Sequence, residues 1–148
     1  MAIGTNPIVI TIPSHPRYLS VVRAAAHLAA EICGMGTSGA EDIKHAVDEA
    51  CSNVIKYAYK CDITRTITIK FEDTLKGFQV TIEDSGCKAN IDDIKIRELD
   101  EVRPGGLGIH FIKKAFNTVV FDKKKRNGNR LILTRYRNTD EAAISKQK

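Results

Sequence analysis

The chain has 148 residues, 43% of them hydrophobic and 28% charged, which suits one globular domain with a sizeable core. No apolar stretch approaches the roughly 18 residues that a bilayer crossing needs, and the N-terminus lacks a basic segment followed by an apolar block, so neither a membrane partner nor a signal peptide is expected. A cytoplasmic protein is the expectation. The net charge of +5 draws on the run Lys123-Lys124-Lys125-Arg126 ahead of Asn127-Gly128. With no aromatic residue interleaved, that run reads as a hairpin turn in preference to a direct nucleic-acid contact. Cys33, Cys51, Cys61 and Cys87 form no C-x-x-C pair and are too sparse for a disulfide scaffold.

In chain order, Ile8, Ile10 and Ile12 alternate with Val9 and Thr11 up to Pro13, as in a short edge strand. Ser14 to Cys33 takes helical spacing, with Tyr18, Val21, Val22, Ala25, Leu28, Ala29 and Ile32 on one face, closed by Gly34 and Gly36. A second helix follows Thr37-Ser38, where Ser38 and Glu41 fit a capping box. Its apolar stripe is Ile43, Ala46, Val47, Ala50, Val54, Tyr57 and Ala58. Ile67, Ile69 and Phe71, then Phe78, Val80 and Ile82, alternate with polar residues about a Lys76-Gly77 turn and predict an antiparallel hairpin. Ser85 to Pro104 is a long, weakly patterned connection, of the kind that serves as a lid or binding loop. A third helix starts near Gly108, two strands follow around 118–122 and 129–136, and a polar tail closes the chain. Strands clustered away from helices predict a two-layer α/β sandwich with a mixed, mostly antiparallel sheet, not a Rossmann alternation. The whole chain, 1–148, reads as a single domain with an ordered core of about 8–136 and a tail of 137–148.

Three constellations carry chemistry. Glu49 and Asn53, four apart, share the margin of the second helix's apolar stripe. An amide oxygen suits Mg²⁺ and a carboxylate can take a hydroxyl proton, although Glu-x-x-x-Asn is also common on solvated helices. Asp84 shares the parity of Phe78, Val80 and Ile82, so its carboxylate points to the core side of the strand, where burial requires a donor such as a purine amino group. Asp84-Ser85-Gly86 is equally ordinary turn chemistry. Pro104-Gly105-Gly106-Leu107-Gly108 opens a helix, where backbone N–H groups can approach phosphate. The same glycines would also serve merely to end a loop. The segment is neither a P-loop nor a Rossmann fingerprint.

Taken in order, Glu49/Asn53, Asp84-x-Gly86, a lid and Gly106-x-Gly108 resemble the GHKL ATPase/kinase superfamily with its Bergerat ATP-binding fold, over residues 8–136. HAVDEACSNVIKYAY and GGLGIHFIKKAF look most like the bacterial anti-sigma-factor serine/threonine kinases. The resemblance implies Mg²⁺ on Asn53, Glu49 as general base, and Asp84 on the adenine amino group with Gly86 admitting the base. It also implies Gly105, Gly106, Leu107 and Gly108 at the ATP phosphates, and Arg103 reaching the γ-phosphate from the lid. Lys88 stands where the second glycine of Asp-x-Gly-x-Gly would be, a departure that bears on lid geometry. The implied function is an anti-sigma factor that sequesters a sigma factor and phosphorylates its antagonist, as a homodimer joined through the first strand and helix. The alternative is a nucleotide-gated binding module with little or no kinase activity. A histidine kinase is disfavoured because one helix precedes the Glu49 helix, and His27 is expected on the surface.

Overall fold

A computed structural model describes residues 6–89 and 107–137, with side chains in the second stretch from residue 110 onward. Strand β1 (Ile8–Pro13) leads through a 3₁₀ turn (Pro16–Tyr18) to helices α1 (Leu19–Ile32) and α2 (Gly36–Asn53). A π turn (Val54–Ala58), strands β2 (Thr66–Asp73) and β3 (Gly77–Asp84), helix α3 (Leu107–Ala115), and strands β4 (Thr118–Phe121) and β5 (Asn129–Tyr136) follow. The sheet order is β1-β2-β3-β5-β4. Each of its four pairings is antiparallel, so the parallel pair that a mixed sheet would include is not found among the described residues.

Alternation decides the layers. Ile12, Ile67, Ile69, Phe71, Phe78, Val80, Ile82, Leu131 and Leu133 are buried on the sheet face that meets the helices. Phe71 and Phe78 stack there with ring centroids 6.3 Å apart. Full burial of each Ile or Leu contributes about 1.5–3 kcal/mol. β1 is the edge strand that its sequence predicts, and Asn127-Gly128 closes the β4–β5 loop with Gly128 at φ +74°.

Four expectations about the helices are corrected. Val21, Leu28 and Ile32 do not face the core; they are 50%, 58% and 70% exposed. α1 carries two apolar stripes, and the one that packs on α2 is Leu19, Val22, Ala26, Ala29 and Ala30, whose small side chains allow close approach. The capping box does not form: α2 begins at Gly36 after Met35, with no side-chain cap, so Ser38 lies inside the helix. Glu41 instead holds Lys44 at 2.7 Å and faces His27 at 3.4 Å, so His27 lies partly buried between α1 and α2. Finally, the π turn inserts an extra residue into the helical phase, a rotation of about 100°. It turns Ile55 and Tyr59 inward and leaves Tyr57 exposed.

Candidate functional site

The π turn is the hinge on which the site is built. Tyr59 N–H donates to the Val54 carbonyl at 2.9 Å, the widened i→i+5 bond, and the Ala58 carbonyl is thereby aimed at the turn after β3. Cys87 N–H donates to that carbonyl at 2.8 Å. A Cβ at Gly86 would overlap the same oxygen, so the glycine is what lets the two segments meet. The close approach that Gly86 permits among the described residues is therefore to Ala58. Tyr59 completes the join: its hydroxyl donates to the Thr66 carbonyl at 2.5 Å and accepts from Ser85 N–H at 2.9 Å. Arg65 lies 4.9 Å over the Tyr59 ring and donates to the Ser85 carbonyl at 2.9 Å. The end of α2, with Asn53 one turn back and Glu49 two, is thus fastened to the Asp84–Gly86 turn.

Asp84 faces the core side as its parity predicts and is 4% exposed. Its Oδ1 accepts from Gly86 N–H at 2.9 Å and from Asn129 Nδ2 at 3.0 Å; among the described residues Oδ2 accepts only the longer branch from Nδ2, at 3.2 Å. An ionised carboxylate offers about four acceptor positions, so Oδ2 retains capacity for a donor.

Glu49 and Asn53 are half-buried at the margin of α2, and neither side chain hydrogen-bonds to another described residue. Burial holds the Glu49 carboxyl above the ordinary carboxylate range, with Lys56 opposing and Asp48 adding to the shift. No cluster of three or more His, Cys, Asp or Glu able to hold a metal occurs among the described residues. That donor set fits a Mg²⁺ ion held by one amide oxygen and otherwise by phosphates and water, the usual arrangement in nucleotide sites.

Leu107 and Gly108 form the first turn of α3. α3 packs along α2 with Phe111 beside His45 (centroids 5.8 Å) and Lys114 at 3.5 Å from Asp42. Rising residue numbers on α3 meet falling ones on α2, so the helices run antiparallel. At the common rise of about 1.5 Å per residue, the start of α3 comes level with Asp48 and Glu49. Arg103, Gly105 and Gly106 lie outside the described residues.

The residue missed in the sequence is Asn129. It shares the parity of Leu131 and Leu133, and a lone amide on an apolar strand face was the available signal. It is 7% exposed and stands opposite Asp84 in register. Asn129 also lines a cavity of about 220 Å³ with Lys88, Ala89, Phe121, Asp122, Lys123 and Arg130. Glu49, Asn53 and Asp84 do not line it, and it adjoins the candidate site through Asn129. In the basic run, Lys125 lies 3.6 Å from Glu83, whose carboxyl is held below its usual range chiefly by the hydrogen bond from Arg130.

A five-stranded antiparallel sheet under helices, with a buried acid at a strand end joined to a helix that bears Glu and Asn, defines a two-layer α/β sandwich of the GHKL type. The chain belongs to the histidine kinase-like ATPase domain family, whose model matches residues 12–135. It is 27% identical over 136 residues to the serine-protein kinase RsbW of Bacillus subtilis, covering 86% of this chain and 83% of that protein. It is 28% identical to serine-protein kinase RsbW of Listeria monocytogenes, over 93% and 92% of the two chains. In fold it is similar to the structure of the RsbU and RsbW domains of Rv1364c from Mycobacterium tuberculosis, with TM-score 0.63 and 19% identity over 89% of this chain. The chain spans about a third (32%) of that longer structure. The histidine kinase domain of the Erythrobacter litoralis EL346 blue-light activated histidine kinase follows, with TM-score 0.55 and 16% identity over 90% of this chain. No helix among the described residues is long and apolar enough to cross a membrane.

Proposed function

We propose that the protein is an ATP-dependent serine/threonine protein kinase that acts on an anti-sigma-factor antagonist and sequesters a sigma factor in the cytoplasm. The observation that carries this is the join of the α2 end to the Asp84–Gly86 turn. It fastens the turn that carries a buried acceptor, Asp84, to the end of the helix that carries the desolvated Glu49 carboxylate.

In this reading Asp84 Oδ2 accepts the adenine amino group. Asn53 holds Mg²⁺, which when bound neutralises phosphate charge. The resemblance supports Gly105, Gly106, Leu107 and Gly108 as the phosphate contacts and Arg103 as a contact to the γ-phosphate. The acceptor serine oxygen bonds to the γ-phosphorus, ADP leaves, and the serine proton goes to Glu49. Phosphoryl transfer asks mainly for positioning and charge neutralisation. A base whose affinity for a proton is raised by burial suits the last step.

The homodimer is supported by the exposed Val21, Leu28 and Ile32 stripe of α1 and by the exposed Ile8 and Val9 of β1, an edge strand among the described residues. Replacing Leu28 and Ile32 together by Asp is expected to give a monomer by sedimentation with the melting temperature little changed.

Incubation with γ-labelled ATP, magnesium and a candidate antagonist tests the activity. Phosphoserine on the antagonist supports the kinase. Tight ATP binding without transfer favours the gated binding module, to which Lys88 in place of a lid-root glycine lends some weight. No ATP binding at millimolar nucleotide sinks both.

A further inference from the structure

We propose that Asn129 is a positioning residue of the nucleotide site, aiming Asp84 at the base and fastening the backbone that leaves the site toward residue 90. The inference rests on the ATP reading above and adds a residue to it. Asn129 opens β5, directly opposite Asp84, on a face otherwise filled by Leu131 and Leu133. A buried amide at such a position is costly unless bonded, and this one is bonded at every group. Nδ2 bridges the two Asp84 oxygens at 3.0 and 3.2 Å and donates its other hydrogen to the Cys87 carbonyl at 2.8 Å. Oδ1 accepts from Ala89 N–H at 2.7 Å. One side chain therefore touches both the acid and the outgoing chain.

The consequence for Asp84 is an asymmetry between its oxygens. Oδ1 is occupied by Gly86 N–H and Asn129, whereas among the described residues Oδ2 receives only the longer branch. Asn129 keeps the carboxylate from rotating and so decides which oxygen is presented with acceptor capacity. Gly128 supports this placement: it adopts φ +74°, and a Cβ there would overlap the Asp84 carbonyl oxygen, so the hairpin end is pressed against the same residue. A residue that merely held the β4–β5 hairpin would have no reason to distinguish nucleotides by their 6-position.

The test compares calorimetric affinities for ATP and for purine riboside triphosphate, which lacks the 6-amino group, in the wild type, Asn129→Ala and Asn129→Ser. The wild type should prefer ATP by about tenfold or more, the worth of one charge-assisted hydrogen bond. Asn129→Ala should lose most of that on ATP and less than about threefold on the analogue, so that the preference collapses. Asn129→Ser, whose hydroxyl sits where the amide carbon was and falls short of Asp84, should lose the preference as well. Equal losses on both nucleotides in Asn129→Ala, or an intact preference, overturn the proposal and leave the ATP reading standing. If the alanine variant does not fold, the serine variant decides alone: preference lost on ATP supports the positioning role, and preference kept overturns it. A wild type that binds ATP but does not distinguish it from the analogue overturns both this role and that of Asp84.

Discussion

The two ends of the proposed nucleotide site are built on opposite plans. Around Asp84 the described polar neighbours are engaged: Gly86 and Asn129 bond to its carboxylate, and Ser85 N–H bonds to the Tyr59 hydroxyl. Around Glu49 and Asn53 no hydrogen bond ties either side chain to another described residue, and burial raises the carboxyl's affinity for a proton. The difference teaches that recognition and reaction make separate demands. A group that reads a base gains from being fixed before the ligand arrives, since no ordering cost is then left to meet. A group that moves a proton must keep its hydrogen-bonding capacity for the substrate.

Mutation can break this comparison. The largest effect is expected for Glu49→Gln, which should retain ATP affinity while phosphoryl transfer falls about 10²–10⁴-fold, the usual contribution of a positioned base. In the wild type the rate should fall on the acid side at a pH above that of an ordinary carboxylate, because Glu49 must be ionised and burial raises its pKa. Retention of the full transfer rate in Glu49→Gln would falsify the base assignment. Next, Asp84→Asn should weaken ATP binding about 10- to 100-fold, the range for a hydrogen bond to a charged group. Calorimetry showing unchanged affinity removes the adenine contact. Gly86→Ala sharpens the boundary between the ends. Its methyl would press on the Ala58 carbonyl, and an overpacking cost of about 1–3 kcal/mol should lower Tm by about 2–10 °C. An unchanged Tm would mean that the α2–β3 join is looser than drawn. The smallest effect concerns stability and pH. Glu49 binds its proton more tightly folded than unfolded, so its ionised form opposes folding above the raised pKa and not below the ordinary value. Glu49→Gln should therefore raise Tm at neutral pH, by about 1 °C after solvent screening, with the gain fading as the solution is acidified toward pH 4. A gain that persisted in acid would need another cause.

Much of the fold was legible in the sequence because strand alternation is a strict signal. Ile67, Ile69, Phe71, Phe78, Val80 and Ile82 landed where parity put them, and parity also turned Asp84 inward. Helix α1 was harder. Its apolar residues cover more than half the circumference, and only the packing partner tells which stripe is buried: the alanines that fit against α2 went in and Leu28 and Ile32 stayed out. The phase after Val54 was also misjudged, because a π turn leaves no mark on a search for a 3.6-residue period. Glu49, Asn53, Asp84 and Gly86 were proposed from spacing and resemblance. Asn129 was not, since its meaning depends on a cross-strand neighbour 45 residues away.

The π turn sets a rule about chain length. Removing any one residue between Val54 and Ala58 would let the segment relax into an ordinary α turn, with local backbone bonds as good as or better than before. It would also swing Ile55 and Tyr59 toward water and carry the Ala58 carbonyl away from Cys87. A deletion here improves the helix and severs its junction with the sheet. The segment acts as a spacer of fixed residue count, more tolerant of a change in side chain than of a change in number.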